Sequence, residues 1–304
     1  MKKIAFIFPG QGSQSVGMGH DLYKNYKEAK HVFDIADEVL GRNISKICFE
    51  GPEEDLKQTI NTQPAILATS IAALEAFKSR VSIEPAFTAG HSLGEYGAYY
   101  ASGVFNLENT FKLIQKRAEL MSKVSNGTMA AVLNCEEDVI RDCIKSVDGY
   151  VDVANYNSPV QIVITGENES VSKVCDLLKE KGVKRVIPLA VSGAFHSEFM
   201  KDAGVEFAQY VKDIDITDAK IPVVTNVDYE FTTSDFKPKM SKQIYSPVKW
   251  CQSVQKMIEN GVDTFVEFGN GKVLAGLNKK IDSNVVTYNV YDKESLEQTI
   301  EALK

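Results

Sequence analysis

A serine with glycines two residues before and two after it, Gly90-His91-Ser92-Leu93-Gly94, follows a short apolar run (Ala86 to Ala89). It opens a small-residue stretch, Ser92 to Ser102, that reads as a helix. A strand that turns sharply into a helix exposes one hydroxyl at the C-terminal edge of a sheet, and the two glycines relieve the crowding of that turn. Free N–H groups at the helix start would face an oxyanion formed when the hydroxyl attacks a carbonyl. The same pentapeptide also serves as a plain turn, so alone it leaves both readings open.

A serine nucleophile needs a base within hydrogen-bond reach. The chain has four histidines. His20 and His31 lie in or near a polar amphipathic helix, and His91 precedes the serine, so its side chain is expected to point away. His196, in Val191-Ser192-Gly193-Ala194-Phe195-His196-Ser197, remains the best base, with a satisfied structural histidine as the alternative. No Asp or Glu is marked as a third member, and a carbonyl would hold the imidazole tautomer as well.

Arg117 is the other candidate. Between Leu107 and Val124 a helical repeat puts Lys112, Lys116, Glu119 and Lys123 on a polar side, whereas Arg117 lines up with Leu113, Leu120, Met121 and Val124. A cation on an apolar face is unfavourable unless an anion meets it there. The competing readings are an arginine snorkelling past the stripe or paired with an internal carboxylate.

The elements that must position these residues follow from the rest of the chain. At 304 residues and 44% hydrophobic composition it can bury one large core with a smaller satellite. A net charge of −7 argues against general nucleic-acid binding, which wants a basic face. Five cysteines without a Cys-x-x-Cys pair imply neither a disulfide framework nor a zinc site and fit a reducing compartment. The opening apolar run is too short for a signal peptide and no later run would span a bilayer, so a cytoplasmic, non-membrane protein is expected.

Ile4 to Phe8 reads as a buried strand stopped by Pro9-Gly10. The glycine-rich loop after it lacks the third glycine of a dinucleotide site, where Ser15 stands. A helix is expected from about Asp21 to Leu40. A second runs from a Thr62 cap, with Pro64 in its first turn, to about Arg80. From Gly127 to Ala190 the order is βαββαβ, the ferredoxin-like unit. Strands and helices then alternate again from Pro222, and Gly269-Asn270-Gly271-Lys272 has the wrong spacing for a phosphate loop. The expected class is therefore α/β. A large α/β-hydrolase-like domain with a mostly parallel sheet (1–125 and 194–304) would carry an inserted small ferredoxin-like α+β domain (126–193). Monomer is the expected state, since no heptad or exposed apolar stripe is visible.

With these residues assembled, the chain resembles the bacterial malonyl-CoA:acyl carrier protein transacylases along nearly its whole length. The matches are Phe8-Pro9-Gly10-Gln11-Gly12-Ser13-Gln14, Thr62-Gln63-Pro64-Ala65, Gly90-His91-Ser92-Leu93-Gly94-Glu95 and Lys116-Arg117 with Met121. Ala154-Asn155-Tyr156-Asn157-Ser158-Pro159, Gly193-Ala194-Phe195-His196-Ser197 and Gln243-Ile244-Tyr245-Ser246-Pro247-Val248 complete the set. Each is modest; together and in order they are specific.

The resemblance implies that Ser92 attacks a malonyl thioester and that His196 carries its proton. It implies an oxyanion hole from the N–H groups of Gln11 and Leu93, a carboxylate clamp at Arg117, and a main-chain carbonyl of Gln243 that orients the histidine. Gln63, Asn155 and Phe195 fall at substrate-binding positions, and the bulk of Phe195 fits preference for malonyl over a methylated acyl group. No cofactor and no metal are implied; the partners are malonyl-CoA and holo acyl carrier protein. Ala118 and Asn270 stand where the family commonly has glycine and proline. An acidic carrier suggests a basic rim, with Lys184, Arg185, Lys272, Lys279 and Lys280 as candidates. The alternatives are a serine hydrolase or thioesterase on the same pair, a binding protein with a degenerate site, and a free-standing loader for a polyketide synthase.

Overall fold

The computed structural model describes residues 2–191 and 193–304; Met1, and Ser192 of the histidine-bearing stretch, lie outside the described residues. Its strands are β1 (Ile4–Phe8), β2 (Phe87–Gly90), β3 (Thr128–Leu133), β4 (Val151–Ser158) and β5 (Gln161–Gly166). They continue with β6 (Arg185–Pro188), β7 (Val223–Val224), β8 (Phe231–Thr232), β9 (Thr264–Phe268) and β10 (Val286–Val290). The larger sheet has the order β10-β9-β1-β2-β7-β8. All its pairs are parallel except β7 with β8.

Covered on both faces, β1 reads as a continuous apolar run rather than an alternating one, and its neighbour β9 is buried along its whole length. On one face the helix Thr59–Lys78 is buried on nearly every side. Phe77 packs its ring edge against Phe6 and Phe268, with centroids 5.9 and 5.3 Å apart. Because β1 and β2 are parallel and in register, with Phe8 opposite Gly90, the loops after them leave the sheet side by side. That brings the Gln11 loop next to Ser92 at the C-terminal edge, where α/β sheets bind ligands.

The smaller sheet has the order β4-β5-β3-β6 and is antiparallel, the arrangement expected of a ferredoxin-like unit. Alternation along β3 divides its residues between two cores. Ala130 and Val132 pack with Ile140, Val174 and Leu178 of the unit's own helices. Met129 and Ala131 belong instead to the large core. The units are joined at Val248, whose N–H donates to Ala154 O at 2.8 Å while its carbonyl accepts from Tyr156 N at 2.9 Å.

Two sequence expectations are corrected. Thr62 caps nothing: the helix starts at Thr59, and the Thr62 hydroxyl donates to Leu56 O (2.6 Å) and Gln58 O (3.0 Å). Pro64 therefore lies inside the helix, where its missing N–H would strand the carbonyl of Ile60. Arg42 Nη2 takes that carbonyl at 2.7 Å. The helix expected over residues 21–40 is two helices, His20–Asn25 and Lys27–Leu40, separated by Tyr26 in an extended conformation. Among the described residues no helix is long and apolar enough to cross a membrane.

Candidate active site

The turn after β2 is as tight as the glycine spacing implies. A Cβ on Gly90 would lie 2.0 Å from the Gly94 carbonyl carbon, and one on Gly94 would lie 2.2 Å from Phe8 O. Ser92 itself has φ 52°, the left-handed region. Such a conformation costs a non-glycine residue roughly 1–3 kcal/mol and persists only where its surroundings hold it. Here the Ser92 N–H donates to Asn226 Oδ1 and its carbonyl accepts from Gln243 Nε2, both at 2.8 Å.

The Ser92 hydroxyl lies 2.7 Å from His196 Nε2. His196, at φ 56°, is also left-handed. Its Nδ1 faces two carbonyls, Gln243 O at 3.0 Å and Ser246 O at 3.1 Å. Two acceptors require Nδ1 to carry the ring hydrogen, which leaves the Nε2 lone pair for the serine proton. Burial first, and the nearby Arg117 charge second, push the imidazole down to about 3, so it is neutral near pH 7. Carbonyls thus stand where many serine enzymes have a carboxylate.

Arg117 is 1% exposed. Its Nη1 donates to Gln63 Oε1 at 2.7 Å, and its Nη2 to Ser92 Oγ and Gln243 Oε1, each at 3.0 Å. All three partners are neutral. Its Nε is buried without a hydrogen-bond partner among the described residues. Three bonds leave two of its five N–H groups, the Nε one among them, without a partner among the described residues, and the buried Glu95 carboxyl acts on it through space. A desolvated cation with spare donors can take up an anion.

A cavity of about 300 Å³ opens over these groups, lined by Ser92, His196, Arg117, Gln11, Leu93, Gln63, Asn155 and Phe195. Gln243 lies behind the wall, reaching the site through the bonds above. Every sequence-selected site position is therefore brought to one place. Met121, Met129 and Leu189 add apolar wall, and Lys57 sits at its edge.

His91 turns from the serine to Asn157, with Nε2 2.8 Å from Oδ1. It also borders a second cavity of about 460 Å³ that shares Gln11, Asn155 and Leu189 with the first. Of the five basic candidates only Lys280 lines either cavity. Asn270 donates to Ser13 O at 2.6 Å and Ser15 Oγ at 2.9 Å, tying down the loop that bears Gln11. Ala118 is fully buried against the core.

Sequence reasoning missed Asn226, which no motif marks, and the partners of Glu95, which ended the serine motif without a role. Among the described residues no group of His, Cys, Asp and Glu could hold a metal ion.

The whole chain has relatives among known proteins, in sequence and in fold. The acyl transferase domain family matches residues 5–290. A malonyl CoA-acyl carrier protein transacylase of Bacillus subtilis is 46% identical over 312 aligned positions, covering 100% of this chain and 98% of the relative. One from Staphylococcus aureus is 41% identical, covering 97% and 98%. Among solved structures, an acyl carrier protein S-malonyltransferase of Vibrio cholerae superposes with a TM-score of 0.94 at 39% identity, covering 98% and 99%. A malonyl-transacylase solved in complex with a type II polyketide acyl-carrier protein gives 0.96 at 36%, covering 99% of each chain.

Proposed function

Since the chain belongs to the acyl transferase domain family, we propose that it moves a malonyl group from malonyl-CoA to the phosphopantetheine thiol of acyl carrier protein. The observation that carries the reading is Arg117, buried among neutral partners 3.0 Å from the candidate nucleophile. A neutral acyl group would have no use for it; the free carboxylate of malonyl satisfies it in a two-pronged pair.

Ser92 Oγ attacks the thioester carbonyl while its proton passes to His196 Nε2. The oxyanion rests on the N–H groups of Gln11 and Leu93. Collapse breaks the carbon–sulfur bond, and the departing thiolate of coenzyme A takes the proton from His196. The carrier thiol then gives its proton to His196 and attacks the malonyl-serine, and Ser92 recovers the proton as it leaves. The cycle is ping-pong and needs no cofactor. Gln63 holds Arg117, Asn155 and Phe195 shape the acyl cavity, and the Gln243 carbonyl keeps the imidazole in the productive tautomer. We place the enzyme in the cytoplasm, feeding fatty-acid elongation, with 126–193 as a small unit inserted in the catalytic one.

Intact mass after mixing the protein with malonyl-CoA tests this, alongside Ser92→Ala. A malonyl-sized gain on wild type alone, discharged by holo carrier protein, is expected. Rapid release of free malonate with no effect of carrier protein would make the protein a hydrolase.

A further inference from the structure

Asn226 joins parts of the nucleophile turn that cannot bond each other. Its buried Nδ2 donates to Gly90 O at 2.7 Å, and its Oδ1 accepts from the Ser92 amide at 2.8 Å and from Gln243 Nε2 at 3.3 Å. Its backbone N–H donates to Glu95 Oε2 at 2.5 Å. Glu95 is fully buried, and its other oxygen accepts the Tyr99 hydroxyl. Asn226 lies between β7 and β8, and β7 pairs with β2 only at Thr88 and Ala89. The sheet gives this loop few bonds to β2, and two further contacts hold Asn226 itself: the Glu95 carboxyl on its N–H, and the Lys249 N–H on its carbonyl at 3.2 Å.

We propose that Asn226, anchored by Glu95, is the positioning residue that keeps the Ser92 backbone in its left-handed turn and so keeps Oγ on the His196 line. This rests on the reading of Ser92 as nucleophile. A side-chain amide bonded to the carbonyl of residue 90 and the N–H of residue 92 fixes the angle between the end of β2 and the hydroxyl. It replaces main-chain bonds that the sharp turn excludes. Glu95 sits in the first turn of the helix that the elbow opens. Strand end, Asn226 and helix start thus form one closed ring of bonds, and displacing Ser92 by about 1 Å would cost on the order of 100-fold in rate.

The test is single-turnover acylation of the full chain by malonyl-CoA, read by intact mass, with labelling of Ser92 by an uncharged fluorophosphonate in parallel. Asn226→Ala is expected to slow acylation at saturating malonyl-CoA about 100-fold and to slow labelling likewise. Half-saturation should stay within about twofold, because Arg117 is untouched. Glu95→Ala should resemble it. Glu95→Gln should recover most of the rate, since its amide oxygen still accepts from the Asn226 N–H. The double alanine variant should be no slower than Asn226→Ala alone, because Glu95 acts through Asn226.

A folded Asn226→Ala that acylates within about threefold of wild type would overturn the proposal. So would a loss confined to half-saturation, or a Glu95→Gln as slow as Glu95→Ala. Should Asn226→Ala fail to fold by circular dichroism, the Glu95 pair decides on the same criteria. A wild-type chain labelled by the phosphonate but not acylated by malonyl-CoA would overturn the malonyl reading instead, and labelling rates would still judge Asn226.

Discussion

Arg117 Nη2 donates to Ser92 Oγ at 3.0 Å and, at the same distance, to Gln243 Oε1. One nitrogen therefore serves both the proposed nucleophile and the residue whose carbonyl faces His196 Nδ1. In the proposed function a bound carboxylate would have to share this guanidinium, which would place recognition of the acyl group beside the hydroxyl. Arg117→Ala should lower kcat/KM for malonyl-CoA on the order of 100- to 1,000-fold, the loss of a buried charge partner. Acylation by acetyl-CoA should fall much less, since an uncharged donor loses only the Arg117 contacts to Ser92 and Gln243 and not a carboxylate partner. Parallel acylation assays check this, and equal losses for both donors would remove the clamp assignment.

The pH behaviour follows from His196. Its pKa is held down to about 3 by burial and then by Arg117, so the imidazole, the base of the proposed function, stays neutral well below the ordinary histidine value of about 6.5. The acid limb of Ser92 labelling by a neutral phosphonate should thus fall below about pH 5, and Arg117→Ala should move it up. For stability the sign is the reverse of a salt-bridged histidine. Above the unfolded value the group contributes nothing. As pH drops from there towards about 3, the unfolded chain binds a proton that the fold excludes, and stability is lost.

Phe195 is 5% exposed and lines the cavity over Ser92 with Met121 and Met129, where the proposed function puts the acyl group. Phe195→Ala should raise the ratio of methylmalonyl to malonyl transfer by about 10- to 100-fold, since one methyl is worth about 1–3 kcal/mol of discrimination. Competition between the two thioesters, read by mass, checks it.

Arg42 donates to Ile60 O, to Gln115 Oε1 at 2.9 Å and to Asn61. Since Pro64 cannot bond Ile60 O, Arg42→Ala should leave this half-buried carbonyl without its protein partner and cost about 1 kcal/mol in denaturant unfolding. Lysine should not restore it, because the three acceptors need a planar fork.

Asn270 holds the Gln11 loop through Ser13 and Ser15. Asn270→Ala should lower kcat about 3- to 10-fold with KM held, because the loop's amide would be less well placed for an oxyanion. Steady-state kinetics with holo carrier protein checks the split.

Local pattern by itself determined much of this protein. The crowding of the Ser92 turn is encoded by Gly90 and Gly94, because a Cβ at either has nowhere to go. The helical repeat puts Arg117 on an apolar face, and the βαββαβ order specifies the small sheet. These features depend on residues a few positions apart, where backbone geometry is regular. Tertiary structure decided where distant segments meet. Asn226 and the Gln243 side chain reach Ser92 only through sheet register and loop packing, and no spacing announces them. Thr62 looked like a cap and Pro64 like a first-turn residue because their types favour those places. Arg42, far from both in sequence, let the helix start earlier by satisfying the carbonyl that proline leaves open.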